Sequence, residues 1–266
     1  MIVNTRRLFV KLLSTLGIGT ICDIGSMDAA DALLFRDAAR ESTIYAFEPN
    51  PDNFRLMQTN RSIQAENIQV VPMAVTDHDG EADFFIVEAD YAKRDAQRGM
   101  SSLYRRSDDW SVTAAVVRVM TTRLDTFLAD KCASDAHLAL WIDTEGKAHE
   151  VLEGITGVAE RVDLVHVEVE TTPCIGSNQK LYPQVKALLG RLGFTELATD
   201  QAVSQIQFNA LFVRSDLRTP TRLTVRAQLL RSRVRDLIFC VVNRICPTCI
   251  RRYKAARSHV AARSGR

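Results

Sequence analysis

Ile21-Cys22-Asp23-Ile24-Gly25-Ser26-Met27-Asp28 is the stretch that decides the fold. Residues 21–24 form a short apolar run carrying one acid. The run breaks at Gly25-Ser26 and is followed by Asp28, Asp31, Leu33, Leu34 and Phe35 at helical spacing. An apolar run that stops at a glycine and resumes as a helix is the strand–turn–helix unit of a nucleotide-type site. The glycine is expected to let the backbone pass close to a ligand where a Cβ would obstruct it. Many βα units share this pattern, so its meaning is decided by the residues downstream.

Beyond residue 28, strand and helix patterns alternate. Residues 28–40 read as a helix and 43–47 as a strand that ends at Glu48-Pro49-Asn50-Pro51. Two prolines so close together forbid a strand interior, and Pro51 suits the first position of a helix reaching to about residue 61. Residues 68–75 read as a third strand, 77–80 as a turn, and 81–87 and 116–120 as further strands. Between the last two, residues 88–112 read as a long polar loop, a length that in a compact domain is usually functional or mobile. A short helix is expected at 124–128 and a buried strand at 138–142 that ends in Asp143-Thr144-Glu145-Gly146. A helix from 148, a strand at 164–170, a helix at 182–192 stopped by Gly193 and a last strand at 208–213 complete the pattern. The reading is an α/β, doubly wound, mostly parallel sheet over residues 20–216. It is preceded by a helix in residues 1–19 and followed by a basic helical tail, 217–266.

Composition restricts the function classes. With 266 residues, 46% hydrophobic and 25% charged, the chain is that of an ordinary globular protein. No apolar run approaches the ~20 residues of a membrane-spanning helix. Arg6-Arg7 before Leu8-Phe9-Val10 imitates a signal peptide, but Lys11 interrupts the apolar stretch and cleavage would destroy the first strand. An amphipathic opening helix is the expectation. Six scattered cysteines do not form a disulfide framework, which agrees with a cytoplasmic protein. The net charge of +2 conceals a division: residues 218–266 carry 12 Arg and 1 Lys against Asp236, net +12, and the remainder carries 21 bases and 31 acids, net −10.

Ligands of such sheets bind beyond the carboxyl ends of the strands. Three strands end there in acids, at Asp23, Glu48 and Asp143-Thr144-Glu145. Glu48 is placed to accept both hydroxyls of a ribose, for which a carboxylate is the suitable bidentate acceptor. The bland alternative is an acid favoured by the helix N-terminus. Asp23 equally suits a buried acid bonded to the turn amides.

Taken in order, Asp23-Ile-Gly25-Ser26, Tyr45-Ala-Phe-Glu48-Pro49-Asn50-Pro51, Val71-Pro-Met-Ala74-Val75-Thr-Asp77, Ser101-Ser102-Leu103, Thr122-Arg-Leu124-Asp125 and Ile142-Asp143-Thr-Glu145-Gly146 resemble the FkbM family of S-adenosylmethionine-dependent methyltransferases. The resemblance covers about residues 20–214. It implies a class I methyltransferase, Rossmann-like sheet of seven strands with an antiparallel last strand, and O-methyl transfer. The cofactor would be S-adenosyl-L-methionine, held by Asp23, Gly25, Ser26, Asp28, Glu48, Pro49, Asn50 and Asp77, with Glu48 on the ribose and Asp77 near the adenine amine. Two departures stand out: Ala29 replaces the usual second glycine of the first loop, and Trp141 replaces the usual lysine before Ile142-Asp143.

For such a reaction the enzyme holds the acceptor oxygen in line with the methyl carbon and removes the hydroxyl proton. Asp143 is expected to act as base or substrate orienter with Glu145 supporting it, although either acid could only cap the next helix. Ser101, with Ser102, is a candidate lid or acceptor contact. His166 reads as a core histidine; Glu168 and Glu170 share its face. No metal is expected. The acceptor is expected to be a hydroxyl of a saccharide, glycolipid or other small molecule. Rival classes are a nicotinamide-dependent oxidoreductase, disfavoured by the single glycine in the first loop, and a non-catalytic interaction protein with a degenerate core.

The tail at 221–244 sets Leu223, Leu229, Leu230, Val234, Leu237 and Ile238 among Arg222, Arg226, Arg231, Arg233, Arg235 and Arg244. This suits peripheral contact with an anionic membrane surface, or packing on the domain itself or on a second subunit. With few aromatics it does not read as a nucleic-acid binder. Cys246-Pro247-Thr248-Cys249 has redox spacing without a βα context and reads as unpaired thiols. Oligomeric state is not encoded legibly.

Overall fold

In a computed structural model the described residues are 3–87, 98–106, 113–132, 136–202, 205–217 and 219–245. The chain opens with α1 (Thr5–Leu16), capped by the Asn4 side chain, which accepts from Arg7 N, and ended by Gly17 in the left-handed conformation. Leu8, Phe9, Leu12 and Leu13 on one face of α1 are fully buried, each contributing about 1.5–3 kcal/mol. That outweighs the half-exposed ion pair that Arg6 of this helix makes with Asp31, since exposed pairs give about 0–1 kcal/mol. The N-terminal segment is therefore part of the core.

β1 (Thr20–Ile24), α2 (Ala30–Ala38), β2 (Thr43–Phe47), α3 (Pro51–Thr59), α4 (Arg61–Ala65) and β3 (Gln69–Val71) build the first half of the sheet. After β4 (Met73–Val75), β5 (Gly80–Val87), β6 (Thr113–Thr122) and α5 (Leu124–Leu128), the second half comes next: β7 (Leu138–Ile142), α6 (Ala148–Glu153), β8 (Val162–Glu170), α7 (Tyr182–Arg191), β9 (Phe194–Thr199) and β10 (Gln207–Arg214). The seven-stranded sheet has the order β3-β2-β1-β7-β8-β10-β9. Its strands are parallel except β10, which runs antiparallel to β8 and to β9. β1 lies between β2 and β7, so the strand order reverses there and a crevice opens at the carboxyl ends.

The sequence pattern anticipated this sheet with two differences. The run at 68–75 is split at Pro72, which lacks the N–H that a ladder requires. β3 stays in the main sheet, and β4 joins a separate three-stranded sheet, β4-β6-β5. β9 was not anticipated; it is an edge strand of mixed polarity with only Phe194 and Ala198 buried.

Each face of the main sheet has its own core. Along β7, Leu138, Leu140 and Ile142 join the cluster packed by α5, α6 and α7, whereas Ala139 and Trp141 face α1 and α2. This period-2 alternation turns Asp23, Trp141, Asp143, His166 and Glu168 to the α1 side. Finally α8 (Thr219–Ile245) lies along α1. Its inner face carries buried Val225 and Ser232, and Asp236 Oδ2 accepts from Asn4 N at 3.0 Å. Leu223, Leu230, Val234, Leu237 and Ile238 are exposed on it. No helix among the described residues is long and apolar enough to cross a membrane.

Candidate active site

The loop from β1 to α2 is shaped by the backbone. Gly25 has φ +83°, and a Cβ on it would fall 1.8 Å from the Asp143 carbonyl oxygen. The glycine thus serves the packing of the β1 turn against the end of β7 more than clearance for a ligand. Gly25→Ala is expected to cost several kcal/mol, in the range about 3 kcal/mol and above, measured by denaturant unfolding; a cost below about 1 kcal/mol would contradict this packing.

Ala29, the family departure, is also left-handed, at φ 60°, and fully buried. The conformational cost to alanine of about 1–2 kcal/mol is largely offset by its buried methyl, about 0.8 kcal/mol, and by the entropy glycine would lose. The three terms nearly cancel, so alanine is tolerable here.

Glu48, buried at the end of β2, has both oxygens anchored. Oε2 accepts from Met27 N at 2.7 Å and Oε1 from Asn50 N at 2.8 Å. Each oxygen retains a second lone pair. Pro51 begins α3 as expected, and the Asn50 side chain caps that helix by accepting from Asp52 N at 3.0 Å. A narrow cavity runs from Glu48 past Pro49, Gly25, Met27 and Gly99 to Asp143, with Ile24, Phe47, Val75, Phe84 and Leu103 as apolar walls. The small sheet supplies Met73, Ala74, Val75 and Phe84, so splitting the strand at Pro72 creates one wall of this cavity. Its empty space amounts to about 520 Å³, solvent at the mouth included.

A second, acidic cavity adjoins it, sharing Gly25, Met27, Gly99 and Asp143, and lined by Asp23, Ser26, Asp28, Asp31 and Glu145. Ser26 Oγ donates to Asp23 Oδ2 at 2.6 Å, and Asp28 Oδ1 accepts from Ala30 N at the start of α2. Burial raises Asp23 to about 8, Glu48 to about 7 and Glu145 to about 7. Asp143 and Glu168 are both raised, first by burial, and a hydrogen bond joins them. Glu168 is raised further by the Asp143 charge.

These groups bind more protons folded than unfolded, so their contribution to stability is present below the unfolded carboxylate range and is lost as pH rises through about 7–8. His166, lowered to about 3 by burial, acts in the opposite sense only below its unfolded pKa of about 6.5. From pH 6.5 to 8 the acids are unopposed by it. The melting temperature without ligand is expected to fall across that window; a flat or rising profile would contradict the assignment.

The anticipated residues separate into three groups. Gly25, Glu48, Pro49, Ser101 and Asp143 line the apolar cavity, and Asp23, Gly25, Ser26, Asp28, Asp143 and Glu145 the acidic one. Asn50 and Asp77 line neither: Asn50 is the helix cap, and Asp77 is half-exposed against His78 Nδ1 at 2.8 Å. Ser101 Oγ accepts from Val87 N, and Ser102 Oγ donates to the Glu145 carbonyl. Glu145 itself is paired with Arg106 at 3.1 Å.

Sequence reasoning missed Met27, Arg98, Gly99 and Arg106, and gave little weight to Glu168, although its placement two residues after His166 was the available signal. Trp141, in place of lysine, is stacked on His166 at 3.6 Å and packed edge-on against Phe9. Cys22 is buried and Cys132 and Cys174 are partly buried as free thiols; Cys246 and Cys249 lie outside the described residues. Asp143, Glu145 and Glu168 bring their oxygens within 4.8 Å of one another.

Among known proteins, the model of the methyltransferase FkbM domain matches residues 23–196. No curated protein sequence matches. Similar solved structures include a magnesium protoporphyrin IX methyltransferase from Synechocystis PCC 6803 with bound SAM, at 12% identity over 79% of this chain and 78% of that one, TM-score 0.44. A methyltransferase FkbM from Methylobacillus flagellatus KT aligns at 11% identity over 74% of this chain and 43% of that one, TM-score 0.45. An O-methyltransferase family protein from Burkholderia thailandensis aligns at 9% identity over 80% and 56%, TM-score 0.42.

Proposed function

Because the chain belongs to the FkbM methyltransferase domain family, we propose that it methylates a hydroxyl of a saccharide or related small molecule from S-adenosylmethionine. The observation that carries the reading is the junction of the two cavities. One end offers the doubly anchored Glu48 carboxylate beside an apolar slot, which suits a ribose and a flat base. The other offers Asp23, Asp28 and Asp31, which suit a cationic amino acid end. A dinucleotide fits worse: its pyrophosphate would need the start of α2, where the Asp28 carboxylate already takes the Ala30 amide and Asp31 is a further acid.

When bound, S-adenosylmethionine supplies a methyl carbon on a positively charged sulfur. The chain's own contribution is positional and acid–base. Asp143 lines both cavities and is the group set to take the acceptor hydroxyl proton; the methyl would pass to that oxygen with cleavage of its bond to sulfur, leaving neutral S-adenosylhomocysteine. Glu168 holds Asp143 by the shared proton. Glu145 is occupied by Arg106 and supports the loop more than it exchanges protons.

The test is transfer of isotopically labelled methyl from S-adenosylmethionine to a panel of saccharides in excess EDTA. Product carrying an O-methyl group is the expected result; transfer only to nitrogen nucleophiles, or abolished by EDTA, would overturn the corresponding part of the proposal. The arginines flanking the exposed apolar stripe of α8 support peripheral contact with an anionic membrane. Sedimentation with phosphatidylglycerol vesicles that survives Leu230→Asp with Val234→Asp would refute that contact.

A further inference from the structure

A third cavity meets the first two at Asp143. It opens between α1, α8 and the ends of β7, β8 and β10, with about 1290 Å³ of empty space, solvent at the mouth included. Arg7, Asp143, His166, Glu168, Asn209 and Asp236 are among its lining residues. Its walls therefore include both terminal helices.

His166 is the informative group. Its Nε2 lies 3.0 Å from Thr5 Oγ1, and that hydroxyl directs its single hydrogen to Asp200 Oδ2 at 3.1 Å. The Thr5 oxygen thus receives, and the imidazole proton sits on Nε2. Nδ1 is left as a bare acceptor. The residue is 1% exposed, and Nδ1 has no partner among the described residues. Burial holds the ring neutral, so Nδ1 calls for a donated hydrogen, and an unmade buried acceptor is destabilising. A ligand that brings a hydroxyl into the cavity satisfies it.

We infer that this cavity is the acceptor site and takes a neutral pyranose-like polyol, one hydroxyl donating to His166 Nδ1 and the reacting hydroxyl lying at Asp143. The inference rests on the methyl-transfer reading. Nδ1, Asp143 and the Asn209 side chain offer several hydrogen-bonding positions on one wall, which a monohydric alcohol cannot fill. A phosphate-bearing acceptor would meet Asp143, Glu168 and Asp236, while Arg7 already faces Asp236 at 3.5 Å and Arg6 faces Asp31. A nucleobase finds no free aromatic platform, because the His166 ring covers Trp141.

The test is saturation-transfer NMR of methyl hexopyranosides (gluco, galacto, manno) and cyclohexanol with the full chain loaded with S-adenosylhomocysteine. Calorimetry of S-adenosylhomocysteine is run on every sample. Transfer to at least one pyranoside is expected, weakened about tenfold in affinity by His166→Phe and partly restored by His166→Gln, whose amide oxygen accepts. No transfer to any pyranoside, transfer to cyclohexanol alone, or a His166→Phe protein with unchanged transfer overturns the inference while leaving cofactor binding intact. Absence of S-adenosylhomocysteine binding in the unaltered chain overturns the methyl-transfer reading itself. Should His166→Phe fail to fold, Trp110→Phe leaves Trp141 as the sole tryptophan. Its emission must change on pyranoside addition, and unchanged emission overturns the inference.

Discussion

Asp143→Asn is expected to lower the methyl-transfer rate by roughly 10²–10⁴-fold, the usual contribution of a positioned base. The amide keeps the size of the side chain and leaves the Asp143 carbonyl against Gly25, so the loop geometry is preserved. What is lost is the ability to take a proton at the point where the three cavities meet. S-adenosylhomocysteine affinity should stay within about threefold, a change below about 1 kcal/mol. The comparison with Glu168→Gln is informative. In the proposed arrangement Glu168 donates to Asp143, a bond the glutamine amide can still make, and a fall of only about tenfold is expected. Single-turnover rates with a pyranoside acceptor make the measurement; equal losses in the two variants would contradict the division of roles.

Glu48→Ala is expected to weaken S-adenosylhomocysteine on the order of 10²–10³-fold, because hydrogen bonds to a charged group contribute about 1.5–3 kcal/mol each. Two such bonds to a ribose diol are at stake. The variant also leaves the Met27 and Asn50 amides without their acceptor, so its melting temperature should fall. Glu48→Gln separates the effects: one oxygen remains for an amide, stability is mostly retained, and affinity falls about tenfold. An Ala variant that loses stability but binds S-adenosylhomocysteine normally would show that Glu48 only braces the loop.

The legible parts of this chain were those whose chemistry is local. The stop at Gly25, the Glu48-Pro49-Asn50-Pro51 turn and the acids after residue 142 each announce themselves within a few residues, and the positions of Glu48 and Asp143 came with them. Even there the reason for Gly25 was hidden, since the atom that excludes a Cβ belongs to Asp143, 118 positions away. Pro72 was visible, but its consequence, a separate sheet walling the cavity, depends on β6 pairing with β4. β9 carried too little alternation to be read. Glu168 and His166 were legible as one face of a strand, but their partners are Asp143 on the neighbouring strand and Thr5, 161 residues away. Such cross-strand and cross-helix partners leave no trace in local periodicity. The basic tail was legible as an amphipathic helix; that its inner face, through Asp236, walls the cavity beside α1 was not.

The most direct measurement of the central claim is calorimetric titration of the full chain with S-adenosylhomocysteine and, separately, with NAD at pH 7.5. The account predicts one saturable site for S-adenosylhomocysteine, with micromolar affinity, about −8 kcal/mol, and no heat with NAD. Binding of NAD with no response to S-adenosylhomocysteine, or no response to either, would contradict it.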